Sequence, residues 1–517
     1  MSKEGLPIES MKKTALYLMI ITVVSKITGF LRDVTLSFFY GATAVSDAYI
    51  ISVTITSVLF SLIIAGISTA FIPMYKQIEV EAGIKAANRF TNNLVNVVLI
   101  ITTLVVLIGV SFSPFLVKIF AIGFSGENLE KTVYFTKISL IGIYFTSLTQ
   151  LFIGYLQLNG RFLIPAMVGL PFNIIVMITI YLSDATSSLF FLAIGNVVAA
   201  LIQMLFLFPS LWKVKYRYTP SLNLKDKNLS KMFRIVFPIM IGISIDQINL
   251  MIDKTLASTL VEGGISALTY ASRLNDFVQG IFVLSFVTVM FPYISKMAAQ
   301  HNTADLKKSI TEVISSVIII VVPASVGIMI LAEPIVKLLY GHGHFDRHAI
   351  EMTTHALFYY SIGMIGYGIR EVLNRTFYSL QDSKTPMINA GLAVLLNIIL
   401  NIILSKFMGI SGLALATSIS ALFCSSLLLI NLQKKIGSFG FSKIVIILLK
   451  VSIASYCMGI IVYVLNEYTF VDLNILLKMT LLMIIGSIVY FILIALLKIK
   501  EAKMIVDFFS KAIKRKT

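Results

Sequence analysis

Lys26, Arg32 and Asp33 are ionised at neutral pH yet lie inside an apolar stretch, and any chemistry of this chain has to account for them. The segment 25–49 reads SKITGFLRDVTLSFFYGATAVSDAY. At about 100° per residue, Thr22, Ser25, Lys26, Gly29, Arg32 and Asp33 share an arc of about 120°, while Ile20, Val23, Ile27, Phe30, Leu31 and Val34 fill the opposite face. A charge at the centre of a bilayer costs from about 2.5 to over 10 kcal/mol, so it is kept where it faces a bundle interior or a wet cavity. The spacing therefore predicts a helix with one face to lipid and one face lining a polar cavity.

Further charges of this kind follow. Arg273 and Asp276 share a predicted helix face with Ser266 and Gly280; Arg370, Glu371 and Arg375 fall in one apolar run, and Asp246, Asp253 and Lys254 in another. Asp47 opens the second run. Each has a structural reading, an ion pair holding two helices in register, as between Arg32 and Asp33 or between Arg273 and Asp276. The sum points to a site, because Lys26, Arg32 and Arg273 leave a cationic excess on cavity-side faces. Such a cavity suits an anionic substrate, and guanidinium forks match phosphate oxygens. Asp33, Asp47 and Asp276 are then supporting or gating carboxylates.

Asn397, Asn401 and Thr417, with Asp253, offer oxygen ligands for a cation such as sodium, the two asparagines being one helical turn apart. Hydrogen bonds between helices are the alternative. The segment GHGHFDRH carries His342, His344 and His348 but lacks a helical HExxH and any companion cysteines, and no P-loop or dinucleotide fingerprint is present. These motifs point to no enzyme and no cofactor; sodium or the membrane potential is the expected driving force.

The elements that must position these residues are legible from composition. Of 517 residues, 57% are hydrophobic and only 13% charged, and mean hydropathy is +0.92. A soluble domain is about one quarter charged, so the chain is read as an all-α polytopic membrane protein. The net charge of +17 is spread over short segments between apolar runs rather than along one stripe, which marks membrane topology rather than nucleic-acid binding. About fourteen runs reach the roughly 20 residues needed to span a bilayer, from 14–39 to 473–499. The first follows Lys12 and Lys13 without a small-residue cleavage site and is read as a retained helix.

One set of alternate loops holds Lys76, Lys85 and Arg89, then Lys213, Lys215, Arg217, Lys225, Lys227 and Lys231, then Lys307 and Lys308, then Lys434, Lys435 and Lys443. The other holds Glu127, Glu130, Asp184, Glu262, Glu333, Asp346, Glu467 and Asp472. Basic loops stay cytoplasmic, so both termini are predicted there. The basic tail from Lys498 to Lys516 suits either the anionic leaflet or solvent.

The chain also repeats. Pro73 and Pro292 are 219 residues apart, Pro114 and Pro334 are 220, and Tyr49 and Tyr270, like Pro165 and Pro386, are 221. An offset of six spans preserves membrane orientation, predicting two parallel six-helix lobes, 1–212 and 213–435, with the solute path between them. Residues 436–517 then supply helices thirteen and fourteen and the tail.

The stretches SKITGFLRDVTLSFFYGATAVSDAYIIS, STAFIPMY, DKTLASTLVEGGISALTYASRLNDFVQGIF, LLYGHGHFD and NRTFYSLQDSKTP resemble the MurJ (MviN) lipid II flippases of the multidrug/oligosaccharidyl-lipid/polysaccharide exporter superfamily. The similarity runs from about residue 14 to 435. It implies two six-helix lobes in a V, a terminal helix pair that grooves a lipid tail, and alternating access carrying the undecaprenyl-pyrophosphate-linked peptidoglycan precursor to the outer leaflet of the bacterial inner membrane. It also implies a place in cell-wall biogenesis and cell shape, beside other cell-wall synthesis proteins. Arg32 and Asp33 match the family's RD pair, Asp47 its DA pair, and Arg273 the arginine of its ADRL-like segment, with Asp276 at the acidic position just after. Lys26 stands where many members have arginine. Phe60, Ser61 and Ala65 stand where the family often carries an arginine pair and a carboxylate, and Ser272 replaces an acid. These departures keep a flippase for another polyprenyl-linked oligosaccharide as the alternative. A cation-coupled drug exporter would prefer an acidic cavity, and a glycosyltransferase would need an exposed acidic catalytic loop.

Overall fold

The computed structural model of the chain describes residues 8–300, 302–470, 473–499 and 501, and the regular structure among them is helical. In order, the helices are α1 (Ile8–Tyr40), α2 (Ala44–Ser111), α3 (Ser113–Phe120), α4 (Gly126–Ser139), α5 (Gly142–Leu158), α6 (Leu163–Met167), α7 (Gly169–Ala185), α8 (Leu189–Leu205) and α9 (Phe208–Lys213). Then come α10 (Lys227–Ala257), α11 (Gly264–Ala299), α12 (Thr303–Ile330), α13 (Ala332–Leu339), α14 (Arg347–Ser379), α15 (Lys384–Met408), α16 (Ile410–Ile436), α17 (Phe441–Val464) with a π-helical turn at Leu465–Thr469, and α18 (Ile475–Leu496). Most of the C-terminal basic tail and the side chain of Asp246 lie outside the described residues.

Among the described residues, nine helical spans are long and apolar enough to cross a membrane, ten if the bent pair α4–α5 counts as one. The chain is a multi-pass membrane protein. Fourteen is reached only by adding α1, α10, α11 and α14, which exceed the required length but carry internal charges, and the count stays an expectation. The span expected at 94–120 is shorter: α2 ends at Ser111, and Pro114, which donates no backbone hydrogen bond, sits in the first turn of a separate α3.

The repeat reappears in element boundaries. α3 and α13 are both eight residues long and begin at 113 and 332, 219 apart. α4 and α14 begin at 126 and 347, α6 and α15 at 163 and 384, α8 and α16 at 189 and 410, each pair 221 apart. Gly160 and Gln381, also 221 apart, both adopt positive φ, 72° and 57°. α2 is broken at Gly83 (φ 81°, ψ 169°), where the second copy passes from α11 to α12.

The chain divides into two compact units, Met1–Ser266 and Ala267–Thr517. In the first, α2 packs on α4, α5 and α10, and α1 on α7. Its core includes Phe71, Leu94, Leu156 and, from α10, Met232 and Val236. α10 follows the sequence boundary at 213 yet buries its apolar face against α2, so packing and repeat place their boundaries differently. In the second unit α14 crosses α16 closely: a Cβ on Gly363 would lie 2.6 Å from Ser418 Cα, and Ser418 Oγ donates to the carbonyl of Tyr359 at 2.6 Å. Small residues at a crossing let two backbones approach, which is how helices associate where no hydrophobic gain separates protein from lipid. α17 packs on α12 and α18, and Tyr490 Oη ties α18 to the carbonyl of Ile319 at 2.6 Å.

Candidate functional site

On α1, Ile20, Val23, Ile27 and Leu31 of the apolar face are exposed, and Thr22 and Lys26 of the polar arc are exposed as well. The rest of the polar face turns toward α7, where Asn173 is 6% exposed in a largely apolar helix. Asn173 Nδ2 donates to Thr28 Oγ1 at 3.1 Å, and its Oδ1 accepts from Arg32 Nη1 at 3.3 Å. Arg32 also donates through Nε (3.1 Å) and Nη2 (2.9 Å) to Asp33 Oδ1. The ion pair that sequence offered as the structural reading is therefore formed. Yet a guanidinium has five N–H groups, and two of Arg32's have no partner among the described residues. Its side chain is 25% exposed. Lys26, about 9 Å along the axis from Arg32 at 1.5 Å per residue, is exposed and makes no hydrogen bond or ion pair with a described residue. The face thus presents two cations, one oriented and one without a partner among the described residues, with donors left for an anion.

Nearby, Tyr49 on α2 is buried and accepts at its hydroxyl from Asn196 Nδ2 of α8 at 3.0 Å. Asn196 also lines a cavity of about 210 Å³ with Thr56, Ser57, Phe60 and Thr146. Phe60 adds an aromatic ring to its wall. Ser61 turns its hydroxyl to the carbonyl of Val58 at 2.9 Å; the side chain of Ala65 lies outside the described residues.

Asp47 is 1% exposed and is satisfied by the start of α11. Its Oδ2 accepts from the backbone N–H of Gly263 at 2.9 Å and its Oδ1 from that of Ser266 at 2.7 Å. The Ser266 hydroxyl also donates to Oδ1 and lies 2.9 Å from Ser46 Oγ. In return, Glu262 Oε1 accepts from Ala44 N, the first residue of α2, at 3.1 Å. The free N–H groups of two helix N-termini are thus each met by a carboxylate from the other's neighbourhood, which also suits the positive ends of both dipoles. Gly263 has φ +76°, and a Cβ there would lie 2.0 Å from the carbonyl oxygen of Ala42, so only glycine closes this seam.

In the second unit, Arg273 and Asp276 are both exposed on α11. On α14, Arg375 Nε donates to Glu371 at 2.8 Å and stacks 5.6 Å over Phe291, while Arg370 lies 5.2 Å over Tyr367. Three of the residues considered for sodium meet: Asn401 Nδ2 donates to Asn397 Oδ1 at 2.8 Å, and Asn397 Nδ2 to Thr417 Oγ1 at 3.3 Å. They bridge α15 and α16, as the hydrogen-bond alternative expects. Asp253 lies on α10, in the other unit. Among the described residues no cluster of three His, Cys, Asp or Glu side chains is placed to hold a metal, His342, His344 and His348 included.

Sequence reasoning missed Asn173, Asn196 and Glu262. The two asparagines stand alone in apolar runs, which is a signal of a buried partner but does not name it; Glu262 read only as an outer-loop acid.

Comparison with known proteins identifies the family. The family described as "Lipid II flippase MurJ" matches residues 36–511. The probable lipid II flippase MurJ of Thermotoga maritima is 28% identical over 497 residues, 96% of this chain and 98% of that protein. The protein of the same description from Buchnera aphidicola (subsp. Baizongia pistaciae) is 28% identical over 414 residues, 79% of this chain and 81% of that one. Among solved structures, "Lipid II flippase MurJ, inward closed conformation" superposes with a TM-score of 0.81 at 26% identity, covering 93% of this chain and 98% of that one. An inward-facing MATE-family multidrug transporter of the MOP superfamily shares the fold at 14% identity, TM-score 0.67, over 82% and 98% of the two chains.

Proposed function

Because the chain belongs to the lipid II flippase MurJ family, we propose that it moves the undecaprenyl-pyrophosphate-linked peptidoglycan precursor from the inner to the outer leaflet of the bacterial inner membrane by alternating access. The observation that carries this reading is Arg32, a guanidinium oriented by Asp33 and Asn173 inside a membrane helix with two N–H groups left over. A fork held in place loses little freedom when it takes up a diphosphate oxygen. Lys26 adds a second cation on the same face, and Arg273 of the second unit is assigned the same class of role, with Asp276 as its supporting acid. Asp47 acts as a latch on the first turn of α11, closed in one state of the cycle and released in another. A cation such as sodium, or the membrane potential, supplies the drive. Both termini are cytoplasmic, the repeated lobes are 1–212 and 213–435, and residues 436–517 add a helix pair and a basic tail.

The test is depletion of the protein in its host: lipid II should accumulate on the cytoplasmic leaflet and disappear from the outer one. A second reading, a flippase for another polyprenyl-linked glycan, is favoured by Phe60, whose apolar ring stands at the place of a family arginine. An undiminished outer-leaflet supply of lipid II with loss of a different glycan would select it.

A further inference from the structure

A groove on the first unit is used by none of the residues above. Val97 and Ile101 of α2, Leu224 of the linker between α9 and α10, and Leu229, Phe233 and Phe237 of α10 line a volume of about 760 Å³, within the roughly 300–1,000 Å³ of small-molecule pockets. The linker that carries Leu224 is tied to α2 by three asparagines. Asn92 Nδ2 donates to Thr219 Oγ1 (2.8 Å), Asn93 exchanges two bonds with the backbone of Asn223 (3.0 and 2.7 Å), and Asn96 Nδ2 donates to the carbonyl of Ser221 (2.8 Å). Against the apolar walls stands one charge, Arg234, exposed and without a hydrogen bond or ion pair to any described residue.

We propose that this groove binds one anionic glycerophospholipid, its phosphate on Arg234 and an acyl chain along Val97, Ile101, Phe233 and Phe237. Charge complementarity selects an anion: residues 213–237 hold seven Lys or Arg and a single acid, Asp226, which is occupied in capping α10 through the N–H of Asn228 at 2.8 Å. The apolar walls select a lipid over a free phosphate. Trp212 and Tyr218, exposed at 70% and 50% in the same region, are the amphipathic aromatics that sit at a membrane–water boundary, and Phe237, 65% exposed, opens the groove sideways. One fork suits a phosphodiester, whereas the diphosphate site proposed above has its own cations on α1.

Trp212 is the only tryptophan, so the full chain carrying Trp212→Phe and Phe237→Trp reports from the groove. It is reconstituted in bilayers with increasing fractions of dibrominated phosphatidylglycerol or dibrominated phosphatidylcholine, whose bromines quench on contact. Half-maximal quenching should need about fivefold less of the anionic lipid, the expected gain from one arginine at an anionic surface. Arg234→Gln should abolish that preference, Arg234→Lys should keep most of it, and 1 M salt should collapse it in the parent chain, which tests the charge even if the glutamine variant folds poorly. Equal quenching by the two lipids, or a preference untouched by Arg234→Gln and by salt, overturns the proposal. So does relief of quenching by undecaprenyl diphosphate where excess unbrominated phosphatidylglycerol fails, which would give the groove to the polyprenyl lipid.

Discussion

Arg32 is at once a structural and a binding group, and the two roles make different demands. If it served only to neutralise Asp33, removing both charges together would leave no lone ion in the bundle and would cost little. If it holds a diphosphate, the double variant Arg32→Gln with Asp33→Asn should fold and reach the membrane but lose transport, and Arg32→Lys, which keeps the charge without the fork, should fall between. Loss of one charge-assisted hydrogen bond of about 1.5–3 kcal/mol corresponds to roughly a tenfold to hundredfold loss of affinity. Binding of a fluorescent diphosphate lipid to the purified variants reads this directly, and an active double variant would remove Arg32 from the site. The same pair of variants applies to Arg273 with Asp276. For Asp47, replacement by alanine leaves the N–H groups of Gly263 and Ser266 buried without acceptors, at about 1–3 kcal/mol each. Asp47→Ala should therefore lower the thermal unfolding temperature and raise protease cleavage near Gly263; an unchanged digestion pattern would count against the latch. The cations were legible in the sequence because charge inside an apolar run is conspicuous. Their partners were not, since Asn173 is 141 residues from Arg32, and nothing local in the chain records that pairing.

At the scale of elements, the turn between α14 and α15 shows what the motif NRTFYSLQDSKTP does. Gln381 turns the chain with φ 57°, and Asp382 accepts from Thr385 N at 3.0 Å, Thr385 Oγ1 at 2.9 Å and Lys435 Nζ at 2.5 Å, fixing the start of α15 to the end of α16. The hydrogen bond from Lys435, then those from Thr385, holds its carboxyl at a pKa of about 2, below the ordinary 3.8. A depressed folded-state pKa contributes stability that is fully present above the unfolded value and is lost as pH falls through the folded one. The clasp should thus add a constant increment to the unfolding temperature from pH 5 to 8, relative to Asp382→Asn, and the increment should shrink between about pH 4 and 2. Lys435 is 38% exposed, so the gain is screened and should also fall in high salt; a difference between the two proteins that ignores pH would refute the assignment. Pro114 and Pro334 were readable as paired landmarks of the repeat but not as the starts of the short helices α3 and α13, since the apolar run 94–120 continues through the break. The grip of three asparagines on the linker stayed unread, because TNNLVN is polar in a way that fits a solvated helix end equally well.

For the whole molecule, the repeat and the alternation of basic loops are linked: if the offset covers six spans, it returns each element to the same membrane orientation. The element starts at 126 and 347, 163 and 384, and 189 and 410 keep that displacement to the residue, which is why sequence landmarks alone sufficed to find it. Packing was not readable in the same way: α10 belongs by repeat to the second copy and by packing to the first unit, because its amphipathic pattern specifies a buried face but not the surface that buries it. Orientation is the remaining global property and has a direct test. The last turn of α7 carries Asp184 and the loop after it an exposed Ser187, whereas the linker before α10 carries an exposed Lys225 among several bases. If Lys and Arg are retained on the cytoplasmic side, an impermeant thiol reagent applied to intact cells should label Ser187→Cys, and should label Lys225→Cys only after the membrane is opened. The native cysteines interfere little, Cys424 being buried and Cys457 half-buried. The reverse labelling pattern would invert the topology, and with it the direction in which the cations of α1 face the substrate.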